Sequence, residues 1–239
     1  MTERRDAVER IVLIGANNPE TRRMIVAISR VRNAVFEGFV DNDPAKIGRK
    51  FIGYDVLGPI AHLSTLERDI KIVNLITRDP RTRYETSVEA AKSGLRFTNF
   101  LHPNIDLTDV RLGTGNYLQE AVVLQAEVSL GHNNSIHVGT LVGHESSVGS
   151  STFIAHGVTI SGLVQIGNGV FIGAGATILP RVKIGDWAVV GAGALVNKDV
   201  PAGAVVVGNP ARVLKTVDVP QTNGVPWAGP EPTNSKRSK

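Results

Sequence analysis

From Leu112 to Val196 every sixth residue is Leu, Ile or Val, fifteen times without interruption. Chance does not produce such a run in a chain that is 42% apolar. The residue after the aliphatic is often glycine, as at Gly113, Gly131, Gly143, Gly149, Gly167, Gly173, Gly185 and Gly191. The residue four after it is small or β-branched in thirteen of the fifteen hexads, Asn116 and Asn134 being the exceptions. Three hexads make an 18-residue triangular coil, so the stretch builds about five coils. A single coil cannot bury its inward face, and stacking on its neighbours does. The reading is a narrow prism with the aliphatics inside, a small residue beside each, and glycine supplying the backbone angle of a corner.

The rest of the composition agrees with two textures in one chain. Aromatics are only 5%, and most of the 25 glycines lie beyond Leu112. The absence of cysteine removes disulfides, thiolate metal sites and a cysteine nucleophile. The opening MTERRDAVER is charged and lacks the apolar core of a secretory signal, and no apolar run approaches the ~18–20 residues of a membrane helix. The expectation is a cytoplasmic protein without a membrane span. A dispersed net charge of +4 without interleaved aromatics gives no expectation of a nucleic-acid partner.

The repeat ends in KIGDWAVVGAGALVNKDVPAGAVVVGNPARVL, residues 183–214. This resembles the last coil of hexapeptide-repeat acyltransferases, in which a V-x-G-x-P-A-[KR] segment, here Val206 to Arg212, closes the prism. The resemblance implies a left-handed coil, a homotrimer, and acetyl-CoA in the groove between neighbouring prisms.

Within the repeat, LVGHESSVG places His144 before Glu145. Acyl transfer from a thioester needs a base near neutral pH, and an adjacent carboxylate orients an imidazole and raises its basicity. A surface histidine with no such role reads equally well from the residues alone. His132, His144 and His156 are spaced by twelve, which puts them on different sides of the prism. His132 and His137 have the H-x4-H spacing of zinc-binding carbonic anhydrases of this fold, but the position of a third ligand is Arg96, and no metal is expected.

Upstream, RIVLIGA (10–16) reads as a strand, and Asn18-Pro19-Glu20 as a helix start with an asparagine cap and proline in the first turn. A second strand, VFEGFVDND, ends on Asp41 and Asp43. This β-α-β unit suits a nucleotide, with a phosphate at the helix N-terminus and Asp41 on the ribose. A purely structural α/β cap is the alternative. Only Gly15 stands in the turn, which argues against the G-x-G-x-x-G cradle of NAD enzymes.

IVLIGA, GFVDND, GYDVLG (53–58), GLRFTNFLHP (94–103) and the hexapeptide run, in that order, resemble the bacterial sugar O-acyltransferase family. That family comprises nucleotide-amino-sugar N-acetyltransferases and sialic-acid O-acetyltransferases. The resemblance covers residues 10–215. It implies that His144 is the catalytic base, Glu145 the acid that strengthens it, and Ala174 and Ala192 coenzyme A contacts. It also implies that Asn17, Asn18, Pro19, Asp41 and Asn42 hold the acceptor.

The chain departs from the family pattern at three places. The first turn is G-A-N-N-P-E where the family has small residues, which bears on the nucleotide-sugar substrate. Phe153 replaces a histidine that contacts the coenzyme, and His156, standing where proline is frequent, is either a substitute contact or a solvated loop residue. Thr77-Arg78 replaces Gly-Asn after the fourth strand, at the substrate side. Arg78, Arg81 and Arg83 form a basic cluster, read as a solvated helix face or as contacts for an anionic acceptor.

The expected architecture is an N-terminal α/β, Rossmann-like substrate domain over residues 1–103, a left-handed parallel β-helix of hexapeptide repeats over 104–215, and a flexible tail over 216–239. The expected activity is acetyl-CoA-dependent N- or O-acetyl transfer to a nucleotide-linked or free sugar. A non-sugar amine acceptor and a non-catalytic scaffold are the alternatives.

Overall fold

The computed structural model describes residues 8–77 and 79–220. Arg78 and the tail from residue 221 lie outside the described residues, as therefore does most of the segment expected to be flexible.

The N-terminal part is a six-stranded sheet with two helices. In chain order it runs β1 (Glu9–Ile14), α1 (Thr21–Ser29), β2 (Ala34–Val40), β3 (Lys50–Phe51), β4 (Tyr54–Gly58), a 3-10 turn (Ile60–Thr65), β5 (Lys71–Asn74), α2 (Pro80–Ala91) and β6 (Arg96–Phe97). The strand order is β3-β4-β2-β1-β5-β6. Every pair is parallel except the β3–β4 hairpin, so the sheet is mixed. An α/β layer is present, but the mixed sheet does not bear out the Rossmann-like expectation.

The central strand β1 is fully buried from Ile11 to Ile14, with a separate apolar cluster on each face of the sheet. The helix after it begins later than its sequence suggests. Asn18 does not cap it: its Oδ1 accepts the Glu20 N–H at 3.0 Å, and the N-cap is Glu20, without a side-chain cap bond. Residues 18–22 then close a tight turn, Thr21 N–H to Asn18 O and Arg22 N–H to Pro19 O, each 3.1 Å. The α-helix proper starts only at Thr21.

The prism follows. Its first face stacks Phe100–Leu101, Tyr117–Leu118, Ser135–Ile136, Phe153–Ile154, Phe171–Ile172, Val189–Val190 and Ala204–Val207. The second face runs from Val123–Leu124 to Leu195–Val196, and the third from Arg111–Leu112 to Lys183–Ile184. Within the repeat strands pair in parallel eighteen residues apart, as Leu124 with Val142 and Val142 with Ile160, while at the two ends Phe100 pairs with Tyr117 and Val189 with Val205. Fourteen of the fifteen hexad aliphatics are buried, and ten of the residues four after them join the same core, the other five being buried polar residues. The prism begins at Phe100, earlier than residue 104.

The corner geometry corrects the role expected of glycine. Left-handed φ occurs at every sixth residue from Asp109 to Gly193, between 55° and 74°, three positions after the aliphatic; Glu145, Arg181 and Trp187 adopt it as well as glycines. The glycines directly after the aliphatic serve close approach instead. A Cβ on Gly143 would stand 2.5 Å from the Gly162 nitrogen, and one on Gly173 2.5 Å from the Ala192 nitrogen. Coils one strand spacing apart, about 4.8 Å, leave no room there for a methyl.

The last coil is closed as the terminal motif suggested. Arg212–Thr216 folds back antiparallel on Ala204–Val207, the Leu195 N–H donates to Gly208 O, and the Ala211 N–H to Leu195 O.

The two parts are packed together at the corner between the third and first faces. Arg83, in α2, is fully buried there. Its guanidinium donates to the carbonyls of Asn133 (2.7 Å), Gly115 and Asn134 (3.2 Å each), Asn74 (2.8 Å) and Ile76 (3.0 Å). Burial pushes its pKa down to about 9. Arg83 is thus neither a solvated charge nor free for an acceptor, whereas Arg81 is exposed. Tyr84 meets Trp187 edge-on at 6.1 Å on the same side. Arg23 of α1 reaches Glu120 of the first coil at 2.9 Å.

Candidate active site

His144 stands on the corner between the second and third faces, after the strand Leu141–Val142. Its main-chain N–H donates to Gln125 Oε1 at 2.9 Å, which fixes the corner from the coil above. The ring is exposed, with Nδ1 3.0 Å from Glu145 Oε1. Glu145 has φ +58°, and this backbone turn brings a sequence neighbour's carboxylate alongside the imidazole. A carboxylate on Nδ1 holds the proton there and leaves Nε2 as the basic nitrogen.

His156, Ala174 and Ala192 occupy the corner between the first and second faces, one coil apart from each other. Stacked at about 4.8 Å per coil they span about 10 Å. Ala192 and His156 are exposed and Ala174 half-buried. Beside them, a Cβ on Gly157, Gly175 or Gly193 would meet nothing within 4 Å, so the strip is open. The main-chain N–H groups of all three residues donate to no acceptor among the described residues. The contrasting corner, between third and first faces, has the same groups capped by side chains, the Thr114 N–H on His132 Nδ1 (3.0 Å) and the Asn168 N–H on Asp186 Oδ1 (2.8 Å).

Phe153 is not part of that open strip. It is buried on the outer side of the first face, stacked on Phe171 at 5.1 Å and met edge-on by His137 at 4.8 Å. Burial, with Arg83 and His156 nearby, pushes the His137 pKa down to about 4, so its ring is neutral near pH 7. His132 faces Thr114 and His137 faces Ser135, and no group of three metal-ligating side chains occurs among the described residues.

Three of the residues expected to hold the acceptor, Asn17, Asp41 and Asn42, come together at the carboxyl ends of β1, β2 and β5, in a cleft of about 680 Å³ also lined by Gly15, Ile76 and Asp79. Asp41 is buried, and its carboxylate takes the N–H groups of Ala16 (2.8 Å) and Asp43 (2.9 Å) and the Lys46 ammonium (2.9 Å). Burial pushes its pKa up, but Lys46 and the two amides outweigh that and hold it below the usual carboxylate range. Lys46 also donates to Asn17 Oδ1, tying the altered first turn to the 41–46 loop. Asn42 is engaged on both sides, donating to Glu89 and accepting the Ile60 N–H. Asn18, Pro19 and Thr77 are not among the lining residues. Lys46 was not singled out by sequence, because nothing in its spacing shows that a loop lysine returns to the first turn.

Residues 164–198 match the family model of the bacterial transferase hexapeptide (six repeats). The chain carries the hexapeptide-transferase repeat. No curated protein matches the sequence. Among solved structures, the chain is similar to a histidine-to-asparagine variant of perosamine N-acetyltransferase from Caulobacter crescentus, in complex with CoA and GDP-perosamine. That similarity has a TM-score of 0.78 and 27% identity over 87% of this chain and 98% of that one. It is similar to the acetyltransferase domain of PglB from Neisseria gonorrhoeae in complex with acetyl coenzyme A, with TM-score 0.77 and 25% identity over 86% and 99%. It is also similar to WeeI from Acinetobacter baumannii, with TM-score 0.76 and 27% identity over 86% and 100%. These likenesses span both parts of the hexapeptide-repeat chain, since each covers more than four fifths of it.

Proposed function

We propose that this hexapeptide-repeat protein is an acetyl-CoA-dependent acetyltransferase that acylates the amino group of a nucleotide-linked sugar. The observation that carries the reading is the exposed His144–Glu145 pair, with Nε2 left unpaired among the described residues. Support comes from the similar structures, which hold CoA with GDP-perosamine or acetyl coenzyme A.

In this reading His144 Nε2 takes the proton that the acceptor amine gives up as its nitrogen bonds to the thioester carbonyl carbon. Glu145 Oε1 stabilises the imidazolium through Nδ1, and His144 returns the proton to the departing coenzyme thiolate. The uncapped N–H groups of His156, Ala174 and Ala192 suit the amide carbonyls of an extended pantetheine arm, whereas Phe153 stays buried against Phe171 and His137. A main-chain N–H meets the carbonyl oxygen as it gains charge. The acceptor's nucleotide lies in the cleft at Asn17, Asp41 and Asn42, on the carboxyl side of the sheet's parallel centre. We also assign Asn18, Pro19 and Thr77, which do not line the cleft, to the acceptor side; Arg78 lies outside the described residues.

The coenzyme strip and His144 lie on opposite edges of the second face, so one prism does not bring them together. A trimer, in which the strip of one copy faces His144 of the next, completes the centre. We place the enzyme in the cytoplasm, where acetyl-CoA is available. The test is thermal melting with acetyl-CoA and with UDP-, GDP- and dTDP-amino sugars. Stabilisation by the coenzyme and by one of the sugar nucleotides is expected. Stabilisation by acetyl-CoA alone would favour a non-sugar amine, and no shift with either would favour a scaffold.

A further inference from the structure

The imidazole of His144 lies against the bare backbone of Gly162, one coil further along the same corner. A Cβ built on Gly162 would stand 2.5 Å from His144 Nε2, 2.8 Å from Cε1 and 2.9 Å from Cδ2. Those are its three nearest neighbours, and all belong to one ring. At Gly143, Gly173 and Gly185 the nearest atoms are instead main-chain atoms of the next coil, whereas a Cβ on Gly169 would meet the Trp187 indole. The backbone of Gly162 does not itself require glycine, for it is absent from the left-handed set, whose member here is Leu163 at φ +64°. What the missing side chain leaves room for is the histidine ring.

The closest approach is to Nε2, the nitrogen not facing Glu145. A methyl group at position 162 would have two consequences to choose between. The ring could keep its contact with Glu145 and have Nε2 covered. Otherwise it could swing away, which an exposed side chain does at small cost to the fold, and lose the 3.0 Å approach of Nδ1 to Glu145. Either way the base no longer offers an oriented, open nitrogen.

We infer that Gly162 is a positioning residue for the transfer reaction, seating the His144 imidazole with Nδ1 on Glu145 and Nε2 open to the acceptor. This rests on the reading of His144 as the base. The test is a double-mutant cycle of His144→Ala and Gly162→Ala, reading kcat, the KM for acetyl-CoA, and melting temperature. Gly162→Ala alone should lower kcat on the order of 10²-fold, as a misplaced catalytic group does, with KM and melting little changed. In the His144→Ala background the same substitution should change kcat less than about twofold, because the ring it displaces is gone. A full loss that persists in that background would mean that Gly162 acts through something else and would overturn the inference. So would wild-type kcat in Gly162→Ala. Full activity in His144→Ala would instead remove the base assignment, and the inference with it. If Gly162→Ala does not fold, the double variant decides: recovered folding supports a clash with the ring, and failure to fold refutes it.

Discussion

Replacing Arg83 with methionine should destabilise the protein by about 3–5 kcal/mol, the cost of breaking a buried charged network from one side. The magnitude follows from its five acceptors. Methionine fills the space of the stem and donates nothing. Asn134 O keeps a second donor, the Tyr117 N–H at 2.8 Å, but the carbonyls of Gly115, Ile76 and Asn133 lose the guanidinium. Three buried carbonyls left unpaired cost roughly 1–3 kcal/mol each. Part of that is offset because the guanidinium is itself costly to bury, which is why its pKa is pushed down to about 9. Of the five acceptors, Asn74 ends β5, Ile76 follows it and three lie on the prism, so the loss should also loosen the contact between the parts. Urea unfolding followed by circular dichroism gives the free energy, and tryptophan fluorescence follows the Trp187 contact with Tyr84. A loss below about 1 kcal/mol would refute the reasoning, showing that the carbonyls find other donors at little cost.

Acidification should act through His137. Its pKa is about 4 in the fold against 6.5 for a free imidazole, so the unfolded chain takes up its proton first as pH falls. The associated stability is complete above pH 6.5 and lost as pH falls through 4, about 3 kcal/mol in all. Urea midpoints at pH 7.5 and pH 4 should therefore lie closer together in His137→Gln than in the parent, and an unchanged gap would contradict the assignment. Asp41→Asn, which removes the charge that Lys46 and the Ala16 and Asp43 amides share, should weaken sugar-nucleotide binding by about tenfold, or 1.4 kcal/mol. Calorimetry checks this, and undiminished affinity would exclude Asp41 from organising the cleft.

The prism was legible because burial in a stacked coil imposes a fixed period, and a period survives in sequence. The same reasoning erred on why glycine follows the aliphatic, since a single chain shows that a position is small without showing whether φ or a neighbouring coil demands it. The 18-residue spacing of His156, Ala174 and Ala192 fixed their common corner. The basic run at Arg78–Arg83 could not be divided, because which side of α2 meets the prism is decided by tertiary packing. Arg83 is buried while Arg81, two residues before it, is exposed. The Lys46–Asn17 contact was hidden for the same reason, as it joins two loops through the fold. Asn18 was expected as the cap, but its side chain closes a local turn and the helix begins after Glu20.

The most direct test is the rate of acetyl transfer by His144→Ala with acetyl-CoA and the sugar nucleotide that stabilises the protein, alongside coenzyme affinity by calorimetry. The account predicts a fall of roughly 10²–10⁴-fold in kcat with coenzyme binding retained, the usual share of a general base. Full activity with intact coenzyme binding would contradict it.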